Sequence, residues 1–186
     1  METIKKQTNG QPPTWPTVPE FARLAPQGAD TLHYAGAPRQ YRFDGEVGKF
    51  FVGSREFDSI TAQIFARRFV YEERWGRPVQ TWLDLAFIDQ DDTVSVLALK
   101  KESAVNLHEL FVQLDQLGAD WKACEVMLLP VLREVRHGED DIESYYVTDW
   151  YEYSFVTESR YESVKALEQF DWVLSGEAMS TATEIR

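Results

Sequence analysis

Three consecutive stretches of the chain alternate apolar with other residues, and short polar breaks separate them. The stretches are Ser59–Trp75, Val79–Ile88 and Val94–Leu99. Alternation with a period of two, together with many aromatic and β-branched residues, is typical of β-strands. A turn signal at residues 76–78 follows the first stretch, and an aspartate-rich break at residues 89–92 precedes the third. The pattern therefore predicts three sequential strands joined by tight turns.

The next segment has the spacing of an amphipathic helix. Its apolar residues fall at i, i+3, i+4, i+7 and i+10 and make one helical face: Leu107, Leu110, Phe111, Leu114 and Leu117. Ser103 is a residue type that caps helix N-termini, and Gly118 is one that follows helix C-termini. We therefore expect one helix between Ser103 and Gly118 that packs its apolar face on the strands.

Two long strand candidates come after this helix. They span Cys124–Arg136 and Glu143–Val156, and a polar connection at residues 137–141 joins them. Ser159 and Glu162 then have the spacing of a capping box, which marks the start of a helix. The pattern therefore predicts two further strands and a C-terminal helix.

The order of these elements, three strands, a helix and two strands, resembles that of OB-fold proteins. The resemblance covers residues 59–156 and concerns the architecture rather than a sequence motif. It implies a mainly β protein with minor α content, built on a five-stranded barrel with the helix between its third and fourth strands. OB-folds often bind single-stranded nucleic acid, on a face flanked by the loops between strands 1 and 2 and between strands 4 and 5.

The N-terminal part of the chain differs in composition from the rest. Residues 7–40 hold six of the eight prolines, which excludes long helices and central strands there. Large apolar residues in this arm indicate that part of it lies on the body or on a neighbouring subunit: Trp15, Phe21, Leu24 and Tyr34. Tyr41–Val52 is a strand candidate interrupted by two glycines, either an extra strand or the first strand of the barrel. The predicted organisation is a Pro-rich arm (1–40), a β-barrel domain (41–157), a C-terminal helix (158–174) and a flexible tail (175–186).

Charge is distributed unevenly along the chain. Residues 1–90 contain 11 Lys or Arg and 11 Asp or Glu, whereas residues 91–186 contain 8 and 20, so the second half carries the whole net charge of −12. This balance argues against general coating of duplex DNA.

The single cysteine, Cys124, fits a reducing, cytoplasmic setting as a buried thiol. No apolar run approaches the roughly 18 residues that span a bilayer, and residues 1–10 lack the apolar core of a secretory signal.

A local positive region with interleaved aromatic residues surrounds the first turn. From Phe65 to Trp82 there are four arginines and two glutamates, a net charge of +2 in an acidic protein. Single-strand binders combine cations for the phosphates with flat rings on which bases stack. The predicted nucleic-acid-binding residues are Arg67, Arg68, Phe69, Tyr71, Arg74, Trp75, Arg77 and Trp82. In the alternative interpretation, the rings belong to the sheet core and the arginines pair with Glu72, Glu73 and Asp84.

An acidic cluster between the last two strands conflicts with this hypothesis, because carboxylates repel phosphates. Either that loop swings away, or the ligand is not a nucleic acid, or the barrel prediction is wrong. The strand that follows is rich in tyrosine and tryptophan, which favour protein interfaces, and a second copy of the chain is one candidate cover for it. The rival hypothesis is an adaptor or inhibitor that binds a basic protein through Glu139, Asp140, Asp141, Glu143 and Trp150.

No catalytic or metal-binding motif accompanies these features. The chain has no glycine-rich nucleotide loop and no serine-hydrolase elbow, and no histidine has metal-ligand spacing to another histidine or to cysteine. An EF-hand beginning at Asp89 fails, because Val94 stands at its glycine position and Lys100 at its glutamate position. The sequence therefore predicts a non-catalytic binding protein without metal or cofactor, with single-stranded nucleic acid as the leading ligand. A third interpretation is an enzyme whose site is assembled from scattered residues, which a deep cleft with convergent titratable groups would reveal.

Overall fold

The computed structural model describes residues 32–137 and 141–167. Most of the predicted N-terminal arm, Glu139 and Asp140 of the acidic cluster, and everything after residue 167 lie outside the described residues. Strands dominate the described part of the chain, which confirms the prediction of a mainly β protein.

The described residues form eight strands, two α-helices and one short 3₁₀ helix. The strands are β1 (Arg39–Asp44), β2 (Lys49–Val52), β3 (Arg55–Phe57), β4 (Ile60–Arg74), β5 (Arg77–Asp89), β6 (Val94–Lys100), β7 (Cys124–Arg136) and β8 (Ile142–Phe155). The helices are α1 (Lys101–Gln116) and α2 (Glu158–Ala166), and the 3₁₀ helix spans Trp121–Ala123. Strands β4 to β8 begin and end within about two residues of the predicted stretches, because successive side chains of a strand point to opposite faces and the sequence alternates accordingly.

All eight strands belong to one curled sheet, in the order β3-β2-β1-β6-β5-β4-β7-β8. Neighbouring strands are antiparallel except β1 and β6, which run parallel with Arg39 opposite Ser95 and Tyr41 opposite Leu97. The sheet therefore has three more strands than the five predicted. β1 pairs with the side of β6 that does not face β5. The extra strands arise because Tyr41–Val52 lies in a hairpin, β1–β2, which β3 extends.

The two faces of the sheet pack against different elements and form two hydrophobic cores. The larger core lies between the sheet and α1, where Leu107 and Phe111 of the helix join sheet residues such as Phe87. The smaller core lies on the other face, where Tyr34 and Val164 of α2 are buried against the sheet. Burial of one large apolar side chain contributes roughly 1.5–3 kcal/mol, so both faces of the sheet help to hold the fold.

The turn between β1 and β2 packs against β8, the last strand in the sheet order. The Tyr146 N–H of β8 donates to the carbonyl oxygen of Gly45 over 2.7 Å. Gly48 has a φ of +65°, and a Cβ built on it would lie 2.7 Å from the Tyr146 ring, so only glycine fits there. Further along β8, the Thr148 N–H donates to the Ser103 hydroxyl of α1 over 2.9 Å. Two backbone donors in the middle of β8 are thus satisfied by other parts of the chain.

The start of α1 differs from its prediction, whereas its end agrees. The helix begins at Lys101 with Lys100 as N-cap. Ser103, the predicted cap, lies inside the first turn and uses its hydroxyl to accept from β8. Gly118 follows the C-cap Leu117, as predicted, but Leu117 is exposed instead of belonging to the buried face.

α2 lies over the smaller core and is fixed by polar contacts at its first turn. Its N-cap is Thr157 rather than Ser159, since the Thr157 hydroxyl accepts from the Arg160 N–H over 3.4 Å. The Arg160 side chain donates to Gln63 of β4 over 2.9 Å and to Asp92 over 2.7 Å. These bonds attach the helix to β4 and to the turn between β5 and β6.

Candidate functional site

The end of the β4–β5 hairpin extends beyond the rest of the sheet. β6 pairs with β5 only as far as Trp82, which lies opposite Lys100, and β7 pairs with β4 only over residues 60–63. Between Trp82 and the turn, the two strands pair only with each other within the described residues. We call residues 69–83, which include the last two β5 residues paired with β6, the distal hairpin. Its tip is the two-residue turn Trp75-Gly76, where both residues have positive φ, 51° and 69°, as a type I′ turn requires.

Strand alternation places the predicted stacking residues on two faces of the distal hairpin. Phe69 contacts the His108 ring of α1 edge to face, with 5.3 Å between ring centroids. Tyr71 has the same parity as Phe69 and is 75% exposed. Trp82 points to the other face and is only 3% exposed, while Trp75 packs edge to face on it at 5.1 Å and is 38% exposed. Phe69, which is 42% exposed, and Tyr71 on one face and Trp75 on the other therefore offer open ring surface to a ligand, whereas Trp82 does not.

Two of the four predicted phosphate-binding arginines are held by a buried carboxylate. Arg74 donates to both oxygens of Asp84, over 2.5 and 2.9 Å, and Arg68 donates to it over 3.0 Å. The Arg74 guanidinium carbon lies 5.6 Å from the Trp82 ring centroid and 5.8 Å from that of Trp75. Burial lowers the pKa of Arg74, but its hydrogen bonds and ion pairs with Asp84 and Glu72 together outweigh that effect and the pKa is raised. Arg74 therefore supports the two rings, and Arg68 is held by the same carboxylate.

The other two predicted arginines have different environments. The Arg67 guanidinium carbon lies 4.0 Å from the Phe111 ring centroid and 5.0 Å from that of Trp121, and burial lowers the pKa of Arg67. Arg77 begins β5 at the tip of the distal hairpin and is exposed. In the described part of the chain Arg77 forms no salt bridge, so it can meet an anion without leaving a partner.

Two lysines that sequence reasoning missed lie beside the distal hairpin. Lys100 ends β6 opposite Trp82, and Lys101 begins α1 and is exposed. Burial lowers the pKa of Lys100, and the positive charges of Arg77 and Lys101 lower it further. The only signal in the sequence was a Lys-Lys pair at a strand–helix junction. Strand pairing is needed to bring that junction beside the first turn.

The residues of the rival protein-binding hypothesis occupy different environments. Asp141 and Glu143 are exposed, and a Glu143 carboxylate oxygen lies 3.2 Å from His137 Nε2. Trp150 is half-buried and packs against the larger core. Binding of a basic partner by these residues stays a prediction.

The aspartate-rich turn between β5 and β6 is occupied by internal contacts. Buried Asp89 accepts from Arg39 over 2.7 Å, from Tyr41 over 3.1 Å and from the Ser95 hydroxyl over 2.8 Å. Burial raises the pKa of Tyr41 to about 12, and the negative charge of Asp89 acts in the same direction. Asp91 also accepts from Arg39, over 2.7 Å. These carboxylates hold β1 and the turn together.

Comparison with known proteins identifies no relative of this chain. No family model, curated protein or solved structure matches this chain. Among residues 32–137 and 141–167, no group of three or more His, Cys, Asp or Glu could hold a metal ion. Neither helix described there is long and apolar enough to cross a membrane. The distal hairpin, with its open rings and nearby cations, is therefore the surface from which function is inferred.

Proposed function

We propose that this protein is a non-catalytic binding protein for single-stranded nucleic acid and that the distal hairpin is its contact surface. The observation that carries the proposal is that exposed rings on both faces of the hairpin, Tyr71 on one and Trp75 on the other, lie close in the chain to the exposed cation Arg77. Single-strand binding uses this combination, because rings stack on bases of any sequence while cations meet the phosphates.

The order of strand pairing supports the proposal by analogy with OB-fold proteins. β4 pairs with β5 and β7, β5 also pairs with β6, and β7 pairs with β8. If β4 to β8 correspond to the five barrel strands, the Trp75-Gly76 turn corresponds to the loop between strands 1 and 2, which flanks the OB-fold ligand face. The face of β5 and β6 beside that turn carries Trp82 and Lys100. Because a shared fold does not by itself imply function, the ligand class is argued from the residues.

Arg74, which is bound within the protein, favours ligand binding by holding the Trp75 ring in place. Trp75 rests on Trp82, and Arg74, fixed by Asp84, lies beside both rings. A ring that is already held in place loses less conformational entropy when a base stacks on it. Trp75 also has a positive φ, which is unfavourable for a bulky residue and persists only where its surroundings impose it. The fold thus stabilises a conformation that presents this ring.

A fluorescence-anisotropy titration tests the proposal. The probe is a labelled oligothymidine of about 15 nucleotides, near the upper site size of an OB-fold, titrated at about 50 and 200 mM salt. We expect binding that weakens with salt and a weaker response to a duplex. Trp75→Ala or Tyr71→Ala should reduce affinity by about 5- to 150-fold, the equivalent of roughly 1–3 kcal/mol for a lost stacking contact.

Tyr151→Ala is the matched control for these variants, because Tyr151 is also an exposed ring, 67% exposed, but lies on β8. It should leave affinity unchanged. Absence of binding by the wild-type protein at the lower salt concentration would refute the proposal. Equal losses in all three variants would refute the assignment of the distal hairpin as the contact surface.

A second candidate function, binding of a basic protein, is favoured by the exposed carboxylates Asp141 and Glu143 at the start of β8. It predicts that the oligonucleotide fails to bind, whereas a lysine-rich peptide binds in a salt-sensitive way. The double variant Asp141→Asn/Glu143→Gln should then lose peptide binding. Retention of peptide affinity in that variant would exclude these residues as the contact.

A further inference from the structure

Lys100 lies close to two other cations at the distal hairpin, and the three belong to three different elements. Arg77 begins β5, Lys100 ends β6 and Lys101 begins α1; we call them the cationic cluster. Arg77 and Lys101 are exposed, whereas Lys100 is half-buried opposite Trp82. Burial, and then the charges of Arg77 and Lys101, lower the pKa of Lys100, so Lys100 lies within electrostatic reach of both.

Two carboxylates close to the cationic cluster already have partners. Asp44, whose charge also acts on Lys100, accepts from Arg42 over 2.8 Å. Glu102, which follows Lys101 in the chain, accepts from Arg133 over 2.6 Å. Within the described residues, no member of the cluster forms a salt bridge. Three adjacent cations without a carboxylate partner, in a chain with a net charge of −12, indicate a place for an external anion.

We infer that the cationic cluster is a binding site for a phosphate group, and specifically for a backbone phosphate of the single strand that stacks on the distal hairpin. The source of the phosphate rests on the proposed function, whereas the site rests on the cluster itself. Two ammonium groups and one guanidinium offer donors to several phosphate oxygens, and such charge-assisted bonds are the stronger kind. A bound phosphate also reduces the repulsion among the three cations.

The position of the cluster fits a nucleotide bound to the same face. Lys100 lies opposite Trp82, and Trp75 packs on Trp82 at 5.1 Å between centroids. Only the Trp82 ring therefore separates a phosphate at Lys100 from the Trp75 ring, on whose open face a base would stack. Lys101 has a φ of 49°, a left-handed conformation that is unfavourable for lysine and sets the junction between strand and helix.

Nuclear magnetic resonance with inorganic pyrophosphate tests the site without any oligonucleotide. We expect pyrophosphate to shift the amide resonances of Arg77, Lys100 and Lys101 and the indole N–H resonance of Trp82 in the full chain. Lys100→Gln/Lys101→Gln should abolish these shifts. The matched control is Lys49→Gln/Lys165→Gln, which removes the same charge from β2 and α2 and should leave the shifts unchanged.

The oligothymidine titration tests whether the phosphate belongs to a nucleic acid. Loss of this one neutralised phosphate on a single strand should lower the slope of log affinity against log salt by about 0.7. The control double variant should keep the wild-type slope. Comparison of the two variants separates a local site from the general effect of removing two positive charges.

The two experiments distinguish failure of the site from failure of the proposed function. If pyrophosphate leaves the cluster resonances unmoved, the phosphate site is refuted. If both double variants have the same salt slope, the assignment of its phosphate to the single strand is refuted. If pyrophosphate shifts the cluster but the wild-type protein binds no oligonucleotide, the site stands and the proposed function fails. The wild-type pyrophosphate titration does not depend on whether any variant folds.

Discussion

Replacement of Gly48 by alanine tests the contact between the β1–β2 turn and β8. The residue has a φ of +65°, and an added Cβ would lie between 2.7 and 2.9 Å from three carbon atoms of the Tyr146 ring. The left-handed conformation costs roughly 1–2 kcal/mol for a residue other than glycine, and overpacking adds roughly 1–3 kcal/mol. We therefore expect Gly48→Ala to lower the free energy of unfolding by about 2–5 kcal/mol, measured by urea denaturation.

Gly53 provides the matched control for this substitution. Its φ of +57° is similar, but nothing lies within 4 Å of the position its Cβ would take, so Gly53→Ala should cost only the conformational part, about 1–2 kcal/mol. In a Tyr146→Ala background the cost of Gly48→Ala should fall to the same range, because the clash is gone. Equal destabilisation by the two single substitutions would refute the reasoning.

Three further predictions concern buried polar groups. Arg74→Met leaves the Asp84 carboxylate with one arginine instead of two and should lower the free energy of unfolding by about 2–3 kcal/mol. Arg77→Met, the control at an exposed position of the same hairpin, should lower it by less than about 0.5 kcal/mol. Similar losses in the two variants would contradict the assigned pairing of Arg74 with Asp84. The pKa of Tyr41 is raised from 10.0 to about 12, so its contribution to stability is complete below pH 10 and is lost as pH rises through 12, where the unfolded chain ionises first. Tyr41→Phe should flatten urea unfolding against pH in that window, and an unchanged slope would be evidence against the shift. Cys124 is fully buried, and burial raises its pKa, so Ellman's reagent should react with it only after unfolding; rapid reaction in the native protein would show that the thiol is accessible.

Local alternation was sufficient to predict β4 to β8, because the side chains of a strand alternate between its faces whatever the strand pairs with. Which strands and turns contact one another was harder to predict from the sequence. Gly45 and Gly48 were visible as interruptions, yet the reason Gly48 must be glycine is Tyr146, which is far away in the chain. Ser103 was predicted as a helix cap because that role depends on local sequence, whereas its observed bond to Thr148 depends on tertiary packing.

The basic and aromatic character of the distal hairpin was evident from the sequence, but the state of each side chain was not. Arg68 lies directly opposite Asp84 in the hairpin register, so its engagement follows once that register is known. The contact of Arg67 with Trp121 joins β4 to the 3₁₀ helix and has no local signal. Lys100 directly follows the predicted strand Val94–Leu99 and was considered at the last position of an EF-hand that fails. Its place beside the hairpin depends on the pairing of β5 with β6.

The attachment of β8 to the β1–β2 turn and to α1 has a consequence for behaviour at high concentration. The outermost strand of a sheet normally presents open N–H groups that recruit strands of other molecules and lead to aggregation. Here Gly45 and Ser103 accept from two such groups in the middle of β8, so the chain blocks its own edge at its most aromatic strand. A substitution that detaches the β1–β2 turn is therefore expected to reduce solubility even under conditions in which most molecules remain folded.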